Sequence, residues 1–320
     1  MMLIRQDTTT CRIKLWQTRA VKKIGLIAAA LLLTGCATSQ VSQTSTISEN
    51  DVSAISVVTA SSFSVARVVV LANGVAEIMN SLNGKTLIVG RDLSSSEKEL
   101  DDIPVVTSGH QVIPEKVIAL KPDLVIIDAS TGPQSAIDQI RSAGIRVEQT
   151  PESWNLADIS LKVQAVANVI GAPQQGELLN KAISSAIVNS KLSSKPRVAF
   201  LYLRGTSSIY LIGGEGSGAD SLITAIGGLD VGAAVLPRPF NTLTAESLAT
   251  LNPDVIIVMT KGLESVGGIT GLLKLPGVAQ TEAGKNQAVI DVDDSLLLSF
   301  GPRTPSLVQV LAEKVSAVLK

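Results

Sequence analysis

The chain has 320 residues, 27 of them basic and 28 acidic, with one histidine and two cysteines. Six of the basic and one of the acidic residues fall within the first 35, so residues 36–320 carry 21 basic against 27 acidic, a formal charge of −6. That balance excludes the basic face that nucleic acid demands. A single histidine excludes a zinc or manganese site built from several His and carboxylate ligands.

Arg12, Lys14, Arg19, Lys22 and Lys23 form a basic leader ahead of an apolar run over 24–33 (IGLIAAALLL). The run has the length of a signal-peptide core and is too short for a stable bilayer span. It ends in Leu33-Thr34-Gly35-Cys36, which resembles a bacterial lipobox, so that 1–35 is a signal peptide and Cys36 becomes the lipidated N-terminus. Cys11 is lost with the leader, which leaves no disulfide to support the fold. Acyl chains on Cys36 would anchor the protein on a membrane surface without a transmembrane helix. The adjoining stretch, rich in Ser, Thr and Gln, reads as a flexible tether over 36–65.

From residue 66 the pattern is α/β. Strands are predicted at 66–71, 86–89, 123–127 and 145–148, with helices at 75–82 and 133–143 between them. Such alternation builds a mostly parallel sheet. Residues 155–191 turn helical, broken once at Gly171-Ala172-Pro173, with apolar residues spaced i, i+3, i+4 from Leu178 to Ile187. A new strand opens at 197–203 (RVAFLYL), and the alternation resumes. The reading is two Rossmann-like lobes, 66–153 and 196–320, with a helical connector over 154–195 dominated by one long helix, and a ligand cleft between the lobes.

An internal repeat supports two lobes of similar topology. Shifted by 131 positions, EKVIALKPDLVII (115–127) lies over ESLATLNPDVIIV (246–258), with five of 13 positions identical. Each copy is a short helix, an x-Pro-Asp turn and a buried strand. Under this alignment His110 falls opposite Asn241 and Gly109 opposite Phe240. Two other features lead elsewhere. The run 213–218 (GGEGSG) lacks the spacing of a phosphate loop and reads as a turn into a helix from Ala219. Asp291, Asp293 and Asp294 read as solvated loop carboxylates.

The lipobox, the paired E-x-x-x-x-L-x-P-D segments, the helical connector and the tail SLLLSFGPRTPSLVQVLAEKV (295–315) resemble substrate-binding lipoproteins of ABC importers. The type is the one with a rigid connecting helix that serves haem, siderophores and cobalamin. YLIGGEGSGADSLITAIGG (210–228) and the GPRTP tail look most like its haemin-binding branch. The resemblance implies a haem-binding protein that acts as a monomer and delivers its cargo to a permease and its ATPase. It implies His110 as an axial iron ligand, because a neutral imidazole nitrogen binds ferric haem. Phe240 cannot ligate iron, so the haem would be either five-coordinate with Phe240 against the porphyrin face or completed by a sixth ligand from Tyr202, Tyr210, Met259 or water. Arg91, Arg204, Arg238 and Arg303 are candidates for the two propionates, Arg204 and Arg303 foremost, since a guanidinium grips a carboxylate in fork geometry. Glu115 and Glu246 match the positions where one carboxylate per lobe faces the permease, although an acid in a helix's first turn also stabilises the macrodipole.

A siderophore or cobalamin is the alternative cargo, and 2% aromatic content leaves few residues to stack on either. A secreted hydrolase using the one histidine would need a G-x-S-x-G elbow, and the chain has none. A surface sensor on the same fold is the third reading.

Overall fold

The computed structural model describes residues 44–57, 62–187 and 192–320. Its first strand, β1 (Ser45–Ile47), runs parallel to a strand near the C-terminus, and Ile47 is fully buried. Residues 44–57, expected to belong to a tether over 36–65, are therefore part of the fold. The Thr46 hydroxyl donates to Asp291 at 2.8 Å, and Ile55 N–H donates to Pro302 O, so this polar-looking stretch is tied into the second lobe. The leader and Cys36 lie outside the described residues.

After β2 (Val68–Val70) and β3 (Ile88–Arg91) comes a small hairpin of β4 (Thr107–Ser108) and β5 (Gln111–Val112), then β6 (Leu124–Ile127) and β7 (Arg146–Gln149). β3, β2, β6 and β7 lie side by side in that order, all parallel. Val68 and Val70 join one apolar core while Val69, Val125 and Ile127 join another. A strand covered on both faces has no reason to alternate polar with apolar, which explains the unbroken valines.

The second lobe contains β8 (Arg197–Arg204), β9 (Ile209–Gly213), β10 (Leu229–Asp230), β11 (Phe240–Thr242), β12 (Val255–Met259) and β13 (Val289–Val292). Their order is β1-β13-β12-β8-β9-β11, with β10 beside β8. The strands are parallel except that β9 runs antiparallel to both β8 and β11. In β8 the alternation is strict: Val198 and Phe200 enter the core shared with the first lobe, whereas Ala199, Leu201 and Leu203 enter a second core. The chain is thus a mixed α/β protein of two lobes.

The repeat acquires a physical meaning here. Asp123 accepts the N–H groups of Ala66 and Arg67 at 2.8 and 3.1 Å, and the Arg67 guanidinium donates to Leu120 O and Lys121 O. In the second lobe Asp254 accepts Arg197 N–H at 2.8 Å, and Arg197 donates to Leu251 O and Asn252 O. In both lobes the Pro-Asp turn starts one strand while an arginine at the start of its neighbour satisfies the helix's terminal carbonyls. These arginines recur at nearly the repeat distance, a signal the shorter alignment missed.

The connector is not one long helix. The helix Ile159–Ile170 ends at Gly171, whose φ of +82° is the left-handed conformation glycine tolerates, and Pro173 opens the helix Pro173–Ala186. The two pack against each other, and Leu179 and Ile183 are buried while Leu178 is exposed. Buried Lys162 on the first helix donates to Asn73 O of the first lobe and to Ser299 O of the C-terminal segment, so one ammonium joins both lobes. Burial pulls its pKa down to about 8, against the attraction of Glu77, Asp128 and Glu152.

Candidate functional site

The alternation of β8 places Phe200, Tyr202 and Arg204 on one face of the sheet, Tyr202 being packed against the same core that holds Phe200. β11 brings Phe240 to that face. Its ring meets Tyr202 edge-on at 5.7 Å and 67°, and Phe200 at 6.5 Å and 68°. Edge-to-face pairs of this kind hold aromatic rings in fixed orientation. The Arg204 guanidinium lies over the Tyr202 ring, 4.5 Å from its centroid, a cation–π geometry. Its Nη1 donates to Leu203 O at 2.9 Å, and its Nη2 reaches Asp294 Oδ2 at 3.4 Å. Tyr202, Arg204 and Phe240 are half-buried, so an aromatic wall, a phenol and a cation all remain within reach of solvent.

His110 sits elsewhere, in the first lobe. Thr107 pairs with Val112 and Ser108 with Gln111, so Gly109 and His110 are the two residues of a tight hairpin turn. Gly109 has φ +56°, the positive first position that such turns reserve for glycine. The imidazole is therefore carried at an exposed tip, and it has no hydrogen-bond partner among the described residues. No strand was expected around His110, because the strands of this hairpin are only two residues long.

Glu115 and Glu246 occupy matched positions. Each is the second residue of its helix, Pro114–Ala119 and Ala245–Leu251, and each is exposed. Of the arginines, Arg238 lies exposed in the loop before β11, where its carbonyl accepts from Asn241.

Four expected site residues are occupied otherwise. Arg303 is buried: its guanidinium lies 3.0 Å from Glu77, 3.1 Å from Glu97 and 3.8 Å from Glu49. With three carboxylates already facing it, it is not available to a propionate. Arg91 is buried as well and donates to the carbonyls of Ser95, Leu100 and Ile103, which fastens the loop after β3. Met259 faces the right side of the sheet but is 4% exposed, part of the core. Tyr210 pairs with Leu203 across β8 and β9 and packs on the second core, the face opposite Tyr202. One residue of register separates the two tyrosines, and in a strand that is the difference between faces.

The aspartates of the C-terminal segment are likewise not loose. Asp291 is buried and accepts from the hydroxyls of Thr46 and Thr260, Asp293 accepts Ser295 N–H, and Asp294 pairs with Arg204. The glycine run leads into the helix Ala219–Ala225, with Asp220 accepting the N–H groups of Gly216 and Gly218.

Glu77 and Glu97 escaped sequence reasoning altogether. With Glu49 and Arg303 they line a cavity of about 130 Å³ that lies apart from the aromatic face. Burial pushes the Glu97 carboxyl up to about 7; Arg303 opposes this, and Glu77 and Glu49 add to it. A second, more open pocket of about 710 Å³ lies between residues 155–157, residues 192–195 and the helix Ala219–Ala225. Among the described residues no group of three or more His, Cys, Asp or Glu could hold a metal ion.

The family model described as periplasmic binding protein matches residues 68–296. The crystal structure of heme binding protein HmuT superposes with a TM-score of 0.77 at 33% identity, covering 85% of this chain and 97% of that one. Its solved variants include replacements by alanine of one histidine, one tyrosine, and one arginine two residues after that tyrosine. An uncharacterized ABC transporter substrate-binding lipoprotein of Bacillus subtilis, YvrC, is 27% identical over 209 residues, 63% of this chain and 64% of its own length. The chain thus spans just under two thirds of that relative. A vitamin B12-binding protein of Vibrio parahaemolyticus is 22% identical over 63% of this chain and 74% of its own.

Proposed function

This chain belongs to the periplasmic binding protein family, and we propose that within it the protein captures haem outside the cytoplasm and delivers it to the permease and ATPase of an ABC importer. The observation that carries this reading is the half-buried face on which Tyr202, Phe240 and Arg204 meet. A porphyrin needs an apolar wall, ligands for ferric iron and cations for its propionates, and such a face offers all three. The Tyr-x-Arg spacing of 202–204 and the single histidine of this sequence parallel the residue types replaced in the HmuT variants.

In this reading Tyr202 supplies a phenolate oxygen to the iron and His110 supplies an imidazole nitrogen from the first lobe. The Tyr202 hydroxyl has no hydrogen-bond partner among the described residues, which leaves it free for a metal. Arg204 lies over the ring and has donors to offer a propionate. Phe240 holds the Tyr202 ring edge-on and covers the porphyrin face. Glu115 and Glu246, one per lobe at the same helical position, meet cationic groups on the two halves of the permease. Lipid on Cys36 keeps the loaded protein at the membrane.

Cobalamin is the second reading, favoured by the Vibrio relative. Its side chains end in carboxamides, for which Arg204 offers no ion pair. Titration with haemin and with cyanocobalamin separates the two. The haem reading requires a Soret band that saturates with haemin, weakened in Tyr202→Phe, and no spectral change with the corrinoid. Cyanocobalamin binding without a haemin response would replace it.

A further inference from the structure

Asp294 is a carboxylate set against the one candidate cation of the aromatic face that is neither buried in other pairs nor out on a loop. Its two oxygens have separate partners. Oδ1 accepts the backbone N–H of Lys261 at 2.9 Å, and Oδ2 faces Arg204 Nη2 at 3.4 Å. The first contact is short and made to the main chain; the second is the loosest that Arg204 makes. Arg204 in turn keeps Leu203 O and the Tyr202 ring whatever happens to Asp294. The side chains are 28% and 15% exposed, so another carboxylate can approach the pair without unfolding anything. Breaking it costs one long contact and strands neither partner.

We propose that Asp294 is a specificity residue that competes with the ligand's own carboxylate for Arg204. A ligand carrying a carboxylate replaces Asp294 at the guanidinium, and Asp294 stays on Lys261 N–H. A ligand of the same shape without a carboxylate leaves the Arg204–Asp294 pair in place and gains nothing from it. The proposal rests on the reading of this face as a porphyrin site. It goes further in naming the residue that makes binding depend on the ligand's charge.

The test is a spectroscopic titration with haemin and with haemin dimethyl ester, which lacks free carboxylates, on wild type, Asp294→Asn and Asp293→Asn. Asp293 has the same charge but accepts Ser295 N–H and does not touch Arg204, which makes it the control. Removing the competitor tightens haemin binding by about threefold to fivefold, the scale of a part-exposed ion pair. It leaves the ester unchanged, and Asp293→Asn changes neither. In an Arg204→Ala background Asp294→Asn has no further effect, because the residue acts through that arginine. Asp294→Ser provides the same reading if the asparagine variant folds poorly. Haemin binding unchanged or weakened in both Asp294 variants overturns the proposal, as does equal tightening for haemin and ester. Wild type without a Soret response to haemin overturns the porphyrin reading, and this proposal with it.

Discussion

Arg303 and Arg204 stand first among the arginines in the sequence and have different work in the fold. Arg303→Ala leaves Glu49, Glu77 and Glu97 facing one another without their cation. Removing one partner from a buried charge cluster costs about 3–5 kcal/mol. A denaturant or thermal midpoint reads that loss, and the folded fraction should bind haemin as before. Arg204→Ala removes a part-exposed pair and should cost under about 1 kcal/mol of stability. Its haemin affinity should fall about tenfold, the scale of one charge-assisted hydrogen bond. If Arg303→Ala weakens haemin while stability holds, the two assignments are reversed. The tail around Arg303 was legible as a family feature, but its three carboxylate partners come from residues 49, 77 and 97, too far apart in sequence for any spacing rule to connect.

Among the elements, the loop and helix that carry Glu97 and Glu77 respond to pH through a carboxyl whose proton is held more tightly in the folded state. Its pKa is about 7 folded against an ordinary 4.5. Its contribution is full below 4.5, declines as pH rises toward 7, and is lost above that. Glu97→Gln removes this dependence, so between pH 5 and about 8 the wild-type thermal midpoint should fall relative to the variant. Parallel curves would show that the cluster carries no such proton. The hairpin of β4 and β5 gives a second element test. Gly109→Ala places a Cβ at φ +56°, a strain of roughly 1 kcal/mol or more. Nothing lies within 4 Å of that Cβ, so the effect is conformational and not a clash. The turn that carries His110 should shift, and the haemin spectrum with it, while the global fold persists. The long β8 and the valine run of β2 were readable because burial imposes a pattern over several residues. β1, β4 and β5 were not: β1 is three residues held by a partner distant in the chain, and β4 and β5 are two residues each, too short for any alternation to register. The connector's break was visible at Gly171 and Pro173, yet the rise of one apolar stripe beyond it suggested a single helix.

The whole molecule is two related lobes, each with its Pro-Asp turn, its arginine-capped helix and its exposed glutamate near a helix start. That likeness was visible as five identities in 13 positions. The aromatic face was only half visible, since sequence gives the alternation of β8 but not that β11 folds Phe240 onto the same side. Matched glutamates call for a test at the level of the assembled importer. Reversing both, Glu115→Lys with Glu246→Lys, should abolish haem-dependent uptake or stimulation of the ATPase while leaving haemin affinity in solution intact. Loss of haemin binding in that variant would place the glutamates at the ligand and not at the permease.

The most direct measurement is haemin titration of wild type beside His110→Ala and Tyr202→Phe, monitored in the Soret region. Both lobes contribute to the iron in this account, so wild type should saturate at one haem per chain. Each variant should show a shifted band and weaker binding. A wild type that gives no Soret response, or two variants whose spectra and affinity match it, would contradict the account.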